Sequence, residues 1–195
     1  GAVERILRRH HNVENPSFEN IRDFYNEHLH PDKIDLEDNQ VWENVFHKGK
    51  WAGIFQFTEG GAQSFCKNAQ PDNITDLASI TSIYRPGPLS AGVDKMFIGA
   101  KQNPEDVDYL NDIVREVTEE TYGFLIFQEQ IAMLAHKLGK DLTLDEGNKL
   151  RKLLTKKGTG SAAEEKDKIF DKFHKGCLEK GMPSHEAREL WNKFE

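Results

Sequence analysis

Cysteine is scarce in this sequence of 195 residues, and its pattern excludes two classes of protein. Cys66 and Cys177 are the only two cysteines, and neither belongs to a metal-ligand spacing. A disulfide-rich secreted domain and a zinc module are therefore excluded. We expect two reduced, structural thiols, which suit a cytoplasmic protein.

Long apolar runs and a signal peptide are also missing. No stretch approaches the roughly twenty apolar residues that a membrane-spanning helix needs. The sequence therefore predicts no membrane partner and a cytoplasmic location. Because the chain begins at Gly1 rather than at Met, we expect a piece excised from a longer protein.

An excess of positive charge is absent as well. The formal net charge is -7, with 30% charged residues. This balance excludes a broad surface for polyanions, so any contact with nucleic acid must be local. Acidic residues are dense between Glu105 and Glu120, which makes any basic helix stand out.

Signals for β-strands are few, whereas apolar residues recur at helical spacing along most of the chain. Eight or nine helices are predicted. Trp51–Phe57 is the best strand candidate, although it also suits an extended core segment without a sheet partner. Phe124–Phe127 suits a strand or a buried turn. The predicted fold class is mainly α, an irregular multi-helix domain with one or two short extended segments.

Leu144–Lys157 is predicted to be a basic amphipathic helix. Leucines share one side and lysines the other: Leu150, Leu153 and Leu154 against Lys149, Lys152 and Lys156. Arg151 falls at the edge of the apolar stripe, where neighbouring side chains would hold its guanidinium in place. Such a cation can position a phosphate. The alternative is an ordinary helix with a solvated lysine face.

Two further segments carry polar side chains at defined positions. Tyr84-Arg85-Pro86-Gly87-Pro88 predicts a stiff, sharply turned loop, and a purely structural turn is the alternative. Gln128-Glu129-Gln130 should project from the first turn of a helix. Glu129 there also suits a capping or helix-dipole role.

Taken in order, these segments closely resemble the α subunit of bacterial replicative DNA polymerase III, the C family. The motifs that carry the resemblance are Gly53-Ile54-Phe55-Gln56, Tyr84–Leu89, Thr121-Tyr122-Gly123, Gln128-Glu129-Gln130, Leu150-Arg151 and Lys156-Lys157. The resemblance covers about Asp35 to Phe194 and is strongest from Gly53 to Lys157.

The resemblance implies a fragment of the fingers domain of a DNA-directed DNA polymerase. Residues 1–34 would be an N-terminal helical segment following the palm, and residues 35–195 the N-terminal part of the fingers. Implied partners are the incoming dNTP, primer-template DNA and the remaining palm, thumb and phosphoesterase segments of the polymerase.

The resemblance also implies roles for particular side chains. Expected nucleotide-binding residues are Arg151, Lys152, Arg85, Gln128 and Gln130. Lysines expected near the DNA backbone are Lys149, Lys156 and Lys157. The family usually has two adjacent arginines where this chain has Arg151-Lys152, so Arg151 is the expected main triphosphate contact and Lys152 an auxiliary one.

The chain departs from the family in what it lacks. No Asp-x-Asp motif stands in a setting that suits a palm, so we expect no catalytic residue, no metal ligand and no polymerisation by this fragment alone. Mg²⁺ is expected only in the full polymerase. The alternatives are a stand-alone helical module that binds nucleic acid or protein without catalysis, and a scaffold in which Tyr84–Pro88 forms a rigid corner.

Overall fold

The computed structural model describes residues 1–154 and 161–194, which divide into two units, Gly1–Asn39 and Gln40–Glu195. Helices dominate both units, and no strand occurs in the described part of the chain. The prediction of a mainly α fold is therefore confirmed. None of the helices in these residues has the length and apolar composition needed to cross a bilayer.

The first unit contains two helices, α1 (Ala2–His10) and α2 (Phe18–Phe24). The second continues as a π-helical turn, Tyr25–Leu29, and a 3-10 turn follows at Pro31–Lys33. Ser17 caps α2, since its hydroxyl accepts the N–H of Asn20 at 3.2 Å and the Asn20 side chain accepts the N–H of Ser17 at 2.9 Å. Ser17 and Asn20 thus form a capping box that fixes the start of α2.

Ten further helices follow along the chain. They are α3 (Asn39–Val41, continued by the π-helical Trp42–Phe46), α4 (Gly60–Ala69), α5 (Ile74–Ile83), α6 (Pro86–Ser90), α7 (Val93–Gln102), α8 (Asp112–Thr118), α9 (Gln128–Leu138), α10 (Leu144–Leu154), α11 (Ser161–Glu179) and α12 (Ser184–Asn192). Short 3-10 turns lie at Pro104–Asp106 and Glu119–Thr121. The predicted extension of α10 from 155 to 157 lies outside the described residues.

The predicted strand at Trp51–Phe57 is wrong. This segment forms two consecutive turns, in which Ile54 N–H bonds to the Trp51 carbonyl at 3.0 Å and Phe57 N–H to the Ile54 carbonyl at 3.4 Å. The third residue of each turn has a positive φ, +80° at Gly53 and +67° at Gln56. A strand cannot include such residues, because an extended backbone requires a negative φ.

The second unit has two apolar clusters. One is built by α8 to α12, with fully buried Leu134, Leu138, Leu150 and Phe173. The other is built by α3, α4, α5 and α7, with fully buried Ile80 and Phe97. Each cluster contains one of the cysteines, both free, and burial raises the pKa of each thiol to about 12. Both are therefore protonated at neutral pH, as expected for structural thiols.

The start of α10 is fixed by a capping box and linked to α11. The Thr143 hydroxyl accepts the N–H of Glu146 at 3.2 Å, and the Glu146 carboxylate accepts the N–H of Thr143 at 2.9 Å. Lys172 of α11 donates to the other Glu146 oxygen at 2.6 Å. The bond from Lys172, followed by that from the Thr143 backbone, lowers the pKa of Glu146 below its usual 4.5.

This lowered pKa predicts a pH-dependent contribution to stability. A carboxylate whose pKa is lower in the folded chain stabilises it above pH 4.5, and the contribution disappears as the pH falls through the folded-state pKa. Glu146→Gln should therefore lower the free energy of unfolding at pH 7 but have little effect at pH 3. Urea unfolding at both values measures this, with Glu189→Gln as the control. An equal loss at both pH values would contradict the prediction.

Candidate functional site

Arg151 lies beside a wall of buried residues and reaches the first turn of α9. Its Nη1 donates to Glu129 Oε1 at 2.9 Å. The Arg151 side chain is 25% exposed and that of Glu129 is 76% exposed. The guanidinium is therefore held in an ion pair at the surface and remains open to solvent on one side.

Close packing of α9 against α10 sets this geometry. Gly147 of α10 is buried, and a Cβ placed on it would lie 2.5 Å from the carbonyl oxygen of Ala132 in α9. Only glycine permits so close an approach. Leu150, fully buried, precedes Arg151 directly and fixes the direction of α10 at this point.

The two glutamines of the predicted site differ in exposure. Gln128 is exposed in the first turn of α9, next to Glu129. Gln130 is buried, and its side-chain oxygen accepts the N–H groups of Ile126 and Phe127, both at 2.9 Å. Its amide nitrogen donates to Thr121 Oγ1 at 2.8 Å. Gln130 therefore stabilises the loop that enters α9.

A second buried contact holds the same loop from the other end. Tyr122 has φ +54°, and its hydroxyl donates to Asp76 Oδ1 at 3.0 Å. Asp76 is fully buried, and Lys101 Nζ lies 3.4 Å from its other oxygen. Burial first, and then the Asp76 charge, raise the pKa of Tyr122, so the phenol stays protonated and donates to the carboxylate.

Two of the four predicted lysines lie within the described residues, and both are exposed. Lys149 is exposed and forms an ion pair with Glu165 of α11. Lys152 is exposed but has an interaction partner. Lys156 and Lys157 lie outside the described residues.

Arg85 lies on a cavity away from these contacts. It is exposed, has an extended backbone and precedes α6, a short helical turn that replaces the loop predicted at Pro86–Pro88. The cavity that it lines, about 420 Å³ in volume, contains neither Arg151 nor Gln128 in its wall. The structure thus brings Arg151 to the start of α9 and places Arg85 in a separate polar pocket.

Two residues that bind side chains of the site could not be predicted as partners from the sequence. The sequence favours a capping or helix-dipole role for Glu129, whereas its carboxylate pairs with Arg151, 22 positions further along the chain. Asp76 belongs to no motif in the sequence, yet its carboxylate accepts a hydrogen bond from Tyr122, 46 positions further along the chain. Each contact joins separate helices or loops, so no local spacing indicates it.

The described residues contain no group of three or more His, Cys, Asp or Glu side chains placed to hold a metal ion.

Residues 15–177 match the family described as the bacterial DNA polymerase III alpha subunit finger domain. The match begins upstream of Asp35, where the resemblance was expected to begin, and the boundary predicted at residues 34/35 stays a prediction.

Three curated relatives, each named DNA polymerase III subunit alpha, are similar to the chain. The Aquifex aeolicus protein is 33% identical over 163 residues, or 84% of the chain. The Campylobacter jejuni protein is 29% identical over 179 residues (92%), and the Bacillus subtilis protein 32% identical over 169 residues (82%). The matched segment spans 14% of the length of each of these relatives.

Proposed function

The chain belongs to the finger-domain family of the bacterial DNA polymerase III alpha subunit, and from this membership we propose that it serves a DNA-directed DNA polymerase by contacting the triphosphate of the incoming nucleotide. The observation that carries the proposal is the Arg151 guanidinium, held at the start of α9 and open to solvent. A stand-alone binding module, the alternative, gives no reason for a family match over residues 15–177.

The chemistry of the site suits a polyphosphate. Arg151 makes a single side-chain hydrogen bond within the described residues, to Glu129, and a planar guanidinium has several N–H donors that suit phosphate oxygens. The first turn of α9 adds the positive end of a helix dipole, and exposed Gln128 adds an amide donor. Lys152 contributes charge. We assign Gln130 a bracing role, because its amide is already bonded internally.

The rest of the proposal concerns the complete polymerase. We propose Lys149, Lys156 and Lys157 as contacts to the DNA backbone, and primer-template DNA and the palm, thumb and phosphoesterase segments as partners. In the complete polymerase, carboxylates of the palm would hold Mg²⁺, which would supply activation of the primer hydroxyl. The chain alone does not polymerise DNA, and the polymerase acts in the cytoplasm.

The Glu129 carboxylate provides a test, because its negative charge beside Arg151 would compete with a triphosphate for the guanidinium. Glu129→Gln in a complete polymerase containing this chain should lower the nucleotide KM by up to about fivefold. This is the range expected when a solvent-exposed ion pair worth about 0.2–1 kcal/mol is lost. Single-nucleotide incorporation kinetics measure the effect.

Glu189→Gln on α12 is the matched control, since Glu189 is exposed and has no side-chain partner among the described residues. It should leave the KM unchanged. A KM that rises in the Glu129 variant, or stays at the control value, would contradict competition between this carboxylate and the nucleotide.

A further inference from the structure

The cavity beside Arg85 is formed by the turns before α4 and by the end of α5. The polar residues in its wall are Gln56, Thr81, Ser82, Tyr84 and Arg85, and buried Phe57 contributes an apolar surface. Gln56, Ser82 and Arg85 make no side-chain hydrogen bond or ion pair within residues 1–154 and 161–194. Three polar side chains with unused hydrogen-bonding capacity thus surround one pocket, a pattern typical of a ligand site.

An exposed aromatic residue lies in the same turn as Gln56 of the pocket wall. Phe55 directly precedes Gln56, and its side chain is 85% exposed. The two consecutive turns hold its backbone in place, and Gln56 adopts φ +67°, a conformation that costs energy for a residue other than glycine. An apolar ring kept in water on a fixed turn suits stacking against a ligand, and nucleic-acid bases are stacked in this way by proteins that bind single strands.

The charges of the pocket distinguish between phosphate ligands. Arg85 is the one charged residue in its wall among those that the structure describes. The Tyr84 hydroxyl donates to Glu59 at 3.4 Å, which places a carboxylate at the edge. One cation beside one carboxylate can hold a phosphodiester with a single charge, whereas a triphosphate would lack neutralising partners and would be repelled by Glu59.

We propose that this pocket binds single-stranded DNA, with one phosphodiester on Arg85 and a neighbouring base stacked on Phe55. Gln56 and Ser82 donate hydrogen bonds to the phosphate or the base. The inference rests on the proposed polymerase function in one respect: in a polymerase, the bound single strand would be the unpaired template. It assigns Arg85 to the DNA, in place of the incoming nucleotide that the family resemblance implies.

The test is fluorescence anisotropy of the 195-residue chain with a labelled oligothymidylate and with an abasic strand of the same length at low salt. Phe55→Ala should weaken binding of the oligothymidylate at least about fivefold, the lower limit for loss of one stacked base, and leave abasic binding unchanged. Arg85→Ala should weaken binding of both strands and reduce the salt slope by about 0.7, the value for one phosphate of a single strand.

Two variants match these changes elsewhere on the surface. Phe18→Ala removes another exposed phenylalanine, 74% exposed, and Arg188→Ala removes an exposed arginine without a side-chain partner among the described residues. Both should bind DNA as the unchanged chain does. Circular dichroism of each variant confirms that the helices are retained.

Several outcomes would overturn the inference. They are an unchanged chain that binds no DNA at low salt, Phe55 and Arg85 variants that bind normally, and a Phe55 variant that loses abasic binding equally. If the Phe55 and Arg85 variants bind DNA normally but fail to associate with the rest of the polymerase, this face is a protein interface and the inference is wrong. Nucleotide kinetics of the Glu129 variant test the proposed function separately, so failure of strand binding and failure of the triphosphate contact are distinguishable.

Discussion

Replacing Arg151 with Ala in a complete polymerase is expected to lower kcat/KM for the incoming nucleotide by about 100-fold. Removal of one positioned donor to a developing charge typically costs this much or more. The guanidinium is held by its bond to Glu129, and Leu150, the residue before Arg151, is fully buried, so the side chain emerges at the edge of the packed face of α10. The loss should appear in single-nucleotide incorporation.

Two further variants separate charge from geometry. Arg151→Lys retains the positive charge but loses the planar fork, and it should recover only part of the loss. Arg188→Ala on α12, an exposed arginine, should leave kcat/KM unchanged. A fall in kcat and kcat/KM by the same factor would indicate a contact made in the transition state, whereas a rise in KM alone would indicate uniform binding. Equal kinetics for Arg151→Ala and Arg188→Ala would refute the triphosphate contact.

Helix positions were predictable because their signals are local. Ser17 caps α2 and Asn73 caps α5, where its side chain accepts the N–H of Asp76 at 2.8 Å. Such signals need only a few neighbouring residues. The amphipathic pattern of α10 likewise indicated that Leu150 is buried and that Arg151 lies at the edge of the buried face.

The segment at Trp51–Phe57 shows where local patterns mislead. Its aromatic and apolar residues favour a strand. However, Gln56 adopts a positive φ in the second turn, and no glycine at that position indicates a turn. The resulting exposure of Phe55 is a consequence of this backbone conformation. A preference for strand does not determine the conformation when turns and neighbouring helices oppose it.

The partners within the candidate site could not be predicted, because they depend on how helices pack. Arg151 meets Glu129 only because Gly147 lets α10 approach Ala132 of α9. A glycine within an amphipathic helix indicates a close approach in general but does not say which helix approaches. Identification of these pairs therefore required coordinates.

Gly176 lies at another such approach, between α11 and the end of α9. The backbone N–H of Lys140 donates to the Lys172 carbonyl at 2.9 Å, and Lys180 Nζ donates to the Leu138 carbonyl at 3.2 Å. These bonds hold the two backbones together on both sides of Gly176. A Cβ on Gly176 would lie closer than 3.0 Å to backbone atoms of Leu138, Gly139 and Lys140, and none of these can move as a flexible side chain would.

Gly176→Ala is therefore expected to lower the free energy of unfolding by about 3 kcal/mol or more, since an overpacked core forces backbone shifts. Urea denaturation of the chain measures this. Gly99→Ala in α7 is the matched control, because nothing lies within 4 Å of its added Cβ. It should stabilise by up to about 1 kcal/mol through helix propensity. If both variants gain stability, α11 does not pack on the end of α9 as closely as the structure places it. The added methyl group should destabilise the chain only where it meets another backbone, as it does at Gly176 and not at Gly99.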